Sequence, residues 1–297
     1  ANLMSNILSL LPLFSAFTWA ISGTILKKYK IKNLYLFPAF ESCISFLVLS
    51  FMNFYLQRWD VFFSYDTNIY ILLISGYTLS ALGMIIYIQA IQRTELGIVF
   101  TLATSIQVLI IAILDKYINL LQFSSLFTIG AISIILGVIA INYTQLKSLS
   151  KKQQSTTSLI GLIASLLCGT FWALNAFIAD RALNDSSVID ATMIRTILTF
   201  IYFVPINFFQ YNQIKLTTSK SEIKYLIIAA LFVTISMLIW NSSLKVNTGS
   251  WTTVLSSSAP IFALTLGYIF LKEKLKSNEL TGIFICLIGV LLIILSE

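Results

Sequence analysis

Long stretches without a single charged residue set the strongest limit on how this chain can fold. The stretch Leu159–Ala179 has no Asp, Glu, Lys or Arg, and as a helix it is long enough to cross the roughly 30 Å hydrocarbon core of a bilayer. Only 10% of the 297 residues are charged and 58% are apolar, whereas about a quarter of a soluble protein is charged. The sequence therefore predicts a membrane protein that crosses the bilayer many times.

Ten segments are apolar enough to form membrane-spanning helices, and we number them spans 1 to 10. They cover residues 7–28, 34–56, 67–92, 96–115, 123–144, 158–180, 188–210, 222–244, 248–271 and 278–296. A β-barrel would need short alternating segments of about ten residues, which these unbroken runs are not. Span 1 has no basic start or small-residue cleavage site, so we expect it to stay in the mature protein. The predicted fold is all-α, with several passes through the cell (inner) membrane.

Positive charges are divided unequally between the two sides that these spans define. One side holds Arg58, Lys116, Arg181, Arg195 and Lys245. The other side, with the connections after spans 1, 3, 5, 7 and 9, holds Lys27, Lys28, Lys30, Lys32, Arg93, Lys147, Lys151, Lys152, Lys215, Lys220, Lys224, Lys272, Lys274 and Lys276. The positive-inside rule then predicts non-cytoplasmic termini. We attribute the net charge of +7 to loops that face an anionic leaflet rather than to nucleic-acid binding.

The two parts of the chain resemble each other at an offset of 153 residues. This offset carries Trp19-Ala20 onto Trp172-Ala173 and Tyr87 onto Trp240, and an offset of 152 carries Gly130 onto Gly282. The pattern predicts a five-helix repeat over residues 1–144, a linker over 145–157 and a second repeat over 158–297. Because five is odd, the second repeat enters the membrane from the opposite side. Inverted repeats of this kind are typical of alternating-access transporters, which bind substrate near the midplane.

Several short motifs in the second half have the order and spacing of a known family. They are Phe171-Trp172-Ala173, Arg195, Ser258-Ala259-Pro260, Leu271-Lys272-Glu273-Lys274-Leu275, and Gly282 with Gly289. Through them the chain resembles the EamA-type transporters of the drug/metabolite transporter superfamily, over nearly its whole length. The resemblance implies two five-helix repeats, a central cavity lined by helices 1, 3, 4, 6, 8 and 9, and a small metabolite or drug as cargo.

The chain departs from this family pattern at two positions and in its charge distribution. Gln107 stands where the first repeat often has proline, and Glu41 stands where it often has arginine. The resemblance also implies cytoplasmic termini, which is opposite to the charge distribution. Both orientations, and with them import and export, therefore stay open.

Two charged residues inside spans are candidates for a binding site. Glu41 lies about seven residues into span 2, where an ionised side chain costs about 2.5 kcal/mol or more. We expect Glu41 to face a wet cavity, to be paired or to be protonated, so that it could hold a cationic group or exchange a proton; the alternative is a side chain that reaches interfacial water. Arg195 could bind a carboxylate or pair with a neighbouring acid such as Asp190.

Aromatic residues occupy matched interior positions in the two repeats. These residues are Trp19, Tyr87, Trp172 and Trp240. Tryptophan is normally enriched at membrane interfaces, so we predict that these rings line a cavity, where they could stack on a ring or enclose a quaternary ammonium group. Packing alone is the alternative.

Polar residues near the rings complete the predicted site. Asn175 is three residues after Trp172 and lies on nearly the same helix face; it could bind cargo or bridge helices. Gln107 and the serines before Pro260 predict a cavity wall or a kink. Asp115 and Lys116 could be functional or simply a solvated helix end.

Small residues in the spans have a structural interpretation. We expect glycines to allow close helix packing and cysteines to be buried apolar residues without disulfides. These residues are Gly130, Gly137, Gly282 and Gly289, and Cys43, Cys168 and Cys286.

Together these features predict a secondary transporter that moves a small organic metabolite by alternating access. A choline-like amine or an amino acid fits the aromatic and acidic candidates, with Glu41 available for proton coupling. The alternatives are an exporter of aromatic or neutral metabolites or drugs, and a receptor or scaffold that does not transport. The absence of histidine excludes His-based metal sites and triads. No P-loop is present, so we expect no direct use of ATP. The usual intramembrane enzyme sites need histidines or paired acids that this chain lacks, so we expect no enzyme activity. We also expect no cofactor, metal or nucleic-acid partner; the expected partners are a small-molecule substrate, the lipid bilayer and protons, and the oligomeric state stays open.

Overall fold

The computed structural model describes residues 7–29, 35–93, 96–143, 147, 156–210, 220–272 and 275–296. Within these ranges the regular structure is helical and contains no β-strand, which confirms the all-α prediction. We number the helices in chain order as α1 Leu11–Tyr29, α2 Leu36–Tyr55, α3 Trp59–Phe62, α4 Thr67–Ile91, α5 Leu96–Tyr117, α6 Ser125–Ile141, α7 Thr156–Asp185, α8 Val188–Gln210, α9 Lys220–Val246, α10 Gly249–Ser256, α11 Ala259–Leu271 and α12 Ser277–Ile294.

Within the part of the chain that the structure describes, eight helical segments are long and apolar enough to cross a membrane. They are α2, α4, α5, α7, α8, α9, the pair α10–α11 and α12. The other two predicted spans correspond to α1, which ends with Lys27 and Lys28, and to α6, a shorter apolar helix of 17 residues. A multi-pass helical membrane protein is therefore confirmed, whereas ten spans in two inverted repeats stay a prediction.

The ninth predicted span is interrupted where the sequence predicted a kink. Helix α10 ends at Ser256, and α11 begins at Ala259 with Pro260 in its first turn. Proline has no N–H to donate and its ring clashes with the preceding helical turn, so it fits best in the first turn of a helix and breaks or kinks a helix elsewhere. The break leaves Ser257 and Ser258 between the two helices.

Helices from the two predicted repeats pack mainly against each other rather than within their own repeat. The most extensive pairs are α6 with α12, α4 with α7, α1 with α9, α5 with α7, α2 with α8, and α11 with α1. The outward faces carry exposed apolar side chains such as Leu47, Phe51 and Phe284. Such a surface is expected where lipid, rather than water, is the solvent.

Paired glycines bring α6 and α12 into backbone contact. A Cβ added to Gly137 would lie 2.8 Å from the Gly282 carbonyl oxygen, and one added to Gly289 would lie 2.7 Å from the Gly130 carbonyl oxygen. Both distances are shorter than van der Waals contact, so no larger residue fits without movement. The predicted packing role of these four glycines is confirmed.

The cysteines only partly match the prediction. All three are free, and Cys168 and Cys286 are buried as predicted. The predicted burial of Cys43 was wrong. This side chain is exposed, because it lies on the outward face of α2 even though the segment is apolar.

Part of the predicted linker and several basic residues lie outside the described residues. Within 145–157, the structure describes Lys147 and the start of α7 at Thr156. The basic residues outside the described ranges are Lys30, Lys32, Lys151, Lys152, Lys215 and Lys274.

Candidate functional site

A cavity of about 200 Å³ lies between helices of both predicted repeats. Its wall comes from α1, α4, α5, α7 and α9, from one residue of α8, and from the junction between α10 and α11. The family resemblance implied a cavity lined by helices 1, 3, 4, 6, 8 and 9, which correspond here to α1, α4, α5, α7, α9 and the pair α10–α11. All of them line the cavity, and Arg195 adds a contribution from α8. The lining residues are Ser15, Ala16, Trp19, Ser80, Met84, Tyr87, Phe100, Thr104, Gln107, Trp172, Asn175, Arg195, Ser236, Met237, Trp240, Ser256, Ser257 and Ala259.

Seven of the eight residues predicted to bind substrate line this cavity. They are Trp19, Tyr87, Gln107, Trp172, Asn175, Arg195 and Trp240. The eighth, Glu41, does not line the cavity but lies directly behind Arg195. The structure thus brings the predicted residues together, and their role in binding stays a prediction.

Two methionines in the wall were missed by sequence reasoning although the repeat contained their signal. Met84 and Met237 both line the cavity, and they are related by the same offset of 153 residues. Each precedes a predicted aromatic residue, Tyr87 or Trp240, by three positions, so it lies on the same helix face. Both methionines could have been predicted from the residues one helical turn before each aromatic position.

The aromatic part of the wall is centred on Tyr87 and Trp172. Their ring centroids are 5.3 Å apart with an interplanar angle of 40°. The indole of Trp172 lies against Gly83, where an added Cβ would be 2.8 Å from the indole ring. Glycine at position 83 therefore provides the space that lets the indole reach the cavity from α7.

An ion pair joins the cavity wall to α2. Arg195 Nη1 lies 3.0 Å from Glu41 Oε1, and the side chains are 11% and 2% exposed. The pairing expected for Glu41 is confirmed, while the alternative of a side chain in interfacial water is wrong because the residue is buried between helices. The cationic end of this pair is the one that reaches the cavity.

Pairing of Arg195 with Asp190 was the wrong alternative. Residues five positions apart on a helix point in different directions, and Asp190 faces away from Arg195 toward the loop after α2. There Asp190 Oδ2 accepts hydrogen bonds from Arg58 at 3.2 Å and from Tyr65 at 2.6 Å. Burial, together with this hydrogen bond to Asp190, raises the pKa of Tyr65 above its usual range.

Asn175 presents an unsatisfied acceptor in the cavity wall. The residue is 5% exposed, and its Oδ1 has no hydrogen-bond partner among the residues that the structure describes. An unpaired buried acceptor costs about 1–3 kcal/mol, so a donor group on a bound molecule would be stabilised at this position. Among the same described residues, its repeat mate Ser22 also has an Oγ without a hydrogen-bond partner, but Ser22 is not part of the cavity wall.

Asp115 anchors the start of α10. Its Oδ2 accepts hydrogen bonds from the N–H of Ser250 at 2.7 Å and from the Ser250 hydroxyl at 2.6 Å. The interpretation as a solvated helix end is wrong for Asp115, which is fully buried, although Lys116 is exposed. Asp180, which sequence reasoning missed, lies near the backbone of Gly249 and within electrostatic range of Asp115. Both acidic side chains lie at the positive end of the α10 dipole.

Sequence comparisons give a consistent family for the chain. Residues 159–295 match the EamA-like transporter family. An "Uncharacterized transporter" of Archaeoglobus fulgidus is 25% identical over 294 residues, which cover 96% of this chain and 97% of the relative. An uncharacterized protein of Methanocaldococcus jannaschii is 26% identical over 136 residues, which cover 46% of this chain and 97% of that protein.

A structural comparison adds the fold. A solved structure titled only "Crystal structure of protein" superposes with a TM-score of 0.79 at 12% identity, over 97% of both chains. At this identity the likeness shows a shared fold alone. The family match over residues 159–295 and the full-length similarity to a protein named as a transporter confirm the resemblance carried by the sequence motifs: the chain is a multi-pass membrane protein that resembles the EamA-like transporters.

Proposed function

We propose that the protein is a secondary transporter that moves a small zwitterionic amine by alternating access around the central cavity. The observation that carries this proposal is the cavity itself, because seven predicted residues from helices of both repeats converge on it. The cargo would bind there without any catalytic step. Proton coupling through Glu41 belongs to the same proposal.

The contacts between helices support the inverted repeat on which alternating access depends. Under the predicted repeat, α1 corresponds to α7, α4 to α9, and α5 to α10–α11. The contact of α4 with α7 then has its counterpart in that of α9 with α1, and the contact of α5 with α7 has its counterpart in that of α11 with α1. The relative from Methanocaldococcus jannaschii, which matches less than half of this chain over nearly its own full length, is consistent with such a unit.

The sequence predicted either a choline-like cation or a zwitterionic amino acid as cargo. The position of the ion pair favours the zwitterion. Arg195 lines the cavity, whereas the carboxylate of Glu41 is withdrawn behind it. A cargo carboxylate can contact the guanidinium in a charge-assisted hydrogen bond. The ammonium group of the same cargo can lie against the faces of Trp172 and Tyr87, where a desolvated cation–π contact contributes about 2 kcal/mol.

The proposal is tested with the purified protein in liposomes. Uptake is measured for glycine betaine and phenylalanine, which are zwitterions, for choline, which has no carboxylate, and for 3-phenylpropionate, which has no amine. We expect uptake of a zwitterion. Trp172→Ala should weaken its binding roughly thirtyfold, as a loss of about 2 kcal/mol requires.

Trp59→Ala is the matched control, because Trp59 lies in α3 outside the cavity wall. It should leave zwitterion binding unchanged. Preference for 3-phenylpropionate would contradict the proposed amine, and uptake confined to choline would replace the zwitterion by a cation. No uptake of any probe, with binding retained, would favour a receptor.

A further inference from the structure

Glu41 is the first member of a chain of hydrogen bonds that crosses three helices. Its Oε1 accepts hydrogen bonds from Arg195 Nη1 at 3.0 Å and from the Ser45 hydroxyl at 2.8 Å. The Ser45 and Thr234 hydroxyl oxygens are 2.6 Å apart, and Thr234 Oγ1 is 2.9 Å from the carbonyl oxygen of Ala230. Residues of α2 and α8 thus meet at one buried carboxylate, and α9 is joined to it through Ser45.

The number of hydrogen atoms in this chain depends on whether Glu41 is ionised. Three contacts link Glu41 to Ser45, Ser45 to Thr234, and Thr234 to the Ala230 carbonyl. With Glu41 ionised, the two hydroxyl groups supply only two hydrogens for these three contacts. With Glu41 protonated, each contact has its own hydrogen: Glu41 donates to Ser45, Ser45 to Thr234, and Thr234 to Ala230.

Glu41 therefore has two alternative sets of partners. The ionised form is stabilised by Arg195, and the protonated form completes the hydrogen bonds through Ser45 and Thr234. A buried carboxylate that loses its cationic partner is strongly disfavoured unless it takes up a proton.

We propose that Arg195 changes partner during transport, leaving Glu41 for the carboxylate of the cargo, and that Glu41 takes up one proton when this happens. The inference rests on the proposed transport of a zwitterion and specifies its coupling. The proton comes from water in the cavity and bonds to Glu41 Oε1, while Arg195 stays protonated throughout. When the cargo is released on the other side, Arg195 pairs with Glu41 again and the proton of Glu41 passes to water on that side, so one proton crosses with each cargo molecule.

The charged and titratable groups around Glu41 are compatible with this exchange. Arg195 faces it from α8, and Tyr77 of α4 lies within electrostatic range of Arg195 while its hydroxyl donates to Asn241. Cys43, on α2 itself, is on the exposed side of that helix. On α9 the neighbour is the Thr234 hydroxyl; Lys224 and Lys245 are ten or more residues away, about 15 Å along the helix.

The test uses the full-length protein in liposomes with the membrane potential held at zero by potassium and valinomycin. The probes are glycine betaine and phenylalanine, which are zwitterions. Choline, which has no carboxylate, is the comparison compound. With one proton per cargo, a gradient of one pH unit should drive about tenfold accumulation of a transported zwitterion. Choline, which leaves the ion pair intact, should not accumulate with the pH gradient.

Three variants examine the proton site. Glu41→Gln removes the group that takes up the proton, so it should abolish accumulation driven by the pH gradient. Because glutamine has the same size and can still donate a hydrogen bond to Ser45, exchange of the zwitterion across the membrane should remain. Thr234→Val keeps the ion pair and interrupts the hydrogen bonds, and it should reduce accumulation at least several-fold. Ser42→Ala is the matched control, since Ser42 is buried one residue from Glu41 and donates only to Ala39 of its own helix at 2.7 Å.

The outcomes separate this inference from the transport proposal. Zwitterion uptake that stays coupled to protons in Glu41→Gln, or that is uncoupled in the parent protein, overturns the partner exchange and the coupling through Glu41, and leaves the proposed transport of a zwitterion through the cavity intact. Choline that accumulates with the pH gradient as strongly as the zwitterions also overturns it. Failure of the parent protein to move any probe would overturn the proposed function, and this inference with it.

Discussion

Two helix pairs, α6 with α12 and α2 with α8, each join a helix of the first half to its predicted mate in the second, but by opposite means. Glycines let α6 and α12 touch through their backbones. Between α2 and α8 lie the Glu41–Arg195 ion pair and, beside it, hydroxyl groups on α2 and α9. A backbone contact has one well-packed arrangement, whereas polar side chains can change partners. The first pair is suited to a fixed contact and the second to rearrangement.

Removing one charge between α2 and α8 should have the largest effect on stability. Glu41→Leu leaves Arg195 without its partner, and we expect a loss of about 3 kcal/mol in the free energy of unfolding in mixed detergent micelles. The double variant Glu41→Leu with Arg195→Met should recover most of this loss, because two apolar side chains leave no unpaired charge. If the double variant is as unstable as the single one, the ion pair is not what stabilises this contact.

Adding one methyl group between α6 and α12 should have the next largest effect. In Gly137→Ala the new Cβ would lie 2.3 Å from Cys286 Sγ and 2.8 Å from backbone atoms of α12. We expect a loss of about 2 kcal/mol in the same unfolding measurement, as for other overpacked interiors. Gly23→Ala is the control, because no atom of the described residues lies within 4 Å of its added Cβ. Equal stability of the two variants would show that α6 and α12 can separate.

The smallest effect should come from a hydroxyl on α2 that does not cross to another helix. Ser42 donates only to Ala39 within α2, and such a bond adds little to helix stability. We expect Ser42→Ala to change the free energy of unfolding by no more than about 0.5 kcal/mol. A loss comparable to that of the charge variants would mean that α2 depends on all its polar groups, not on those that meet α8 and α9.

Cavity residues could be predicted where the repeat and the helical period agreed. Trp19 and Trp172 occupy matched positions, and both line the cavity. The serines before Pro260 predicted the helix break because the effect of proline on a helix is local. Cys43 was misplaced because an apolar segment in a membrane has two kinds of apolar surroundings, lipid and protein, and hydrophobicity does not distinguish them.

The membrane class, the helical fold and the positions of the aromatic residues follow from the order of residues alone, because hydropathy, helical period and repetition are properties of neighbours along the chain. The partners of the buried charges required the tertiary structure. Glu41 and Arg195 are 154 positions apart, and Asp115 and Ser250 are 135 apart. A charge buried in a low-dielectric interior needs a partner, but which residue supplies it depends on how the two halves pack against each other.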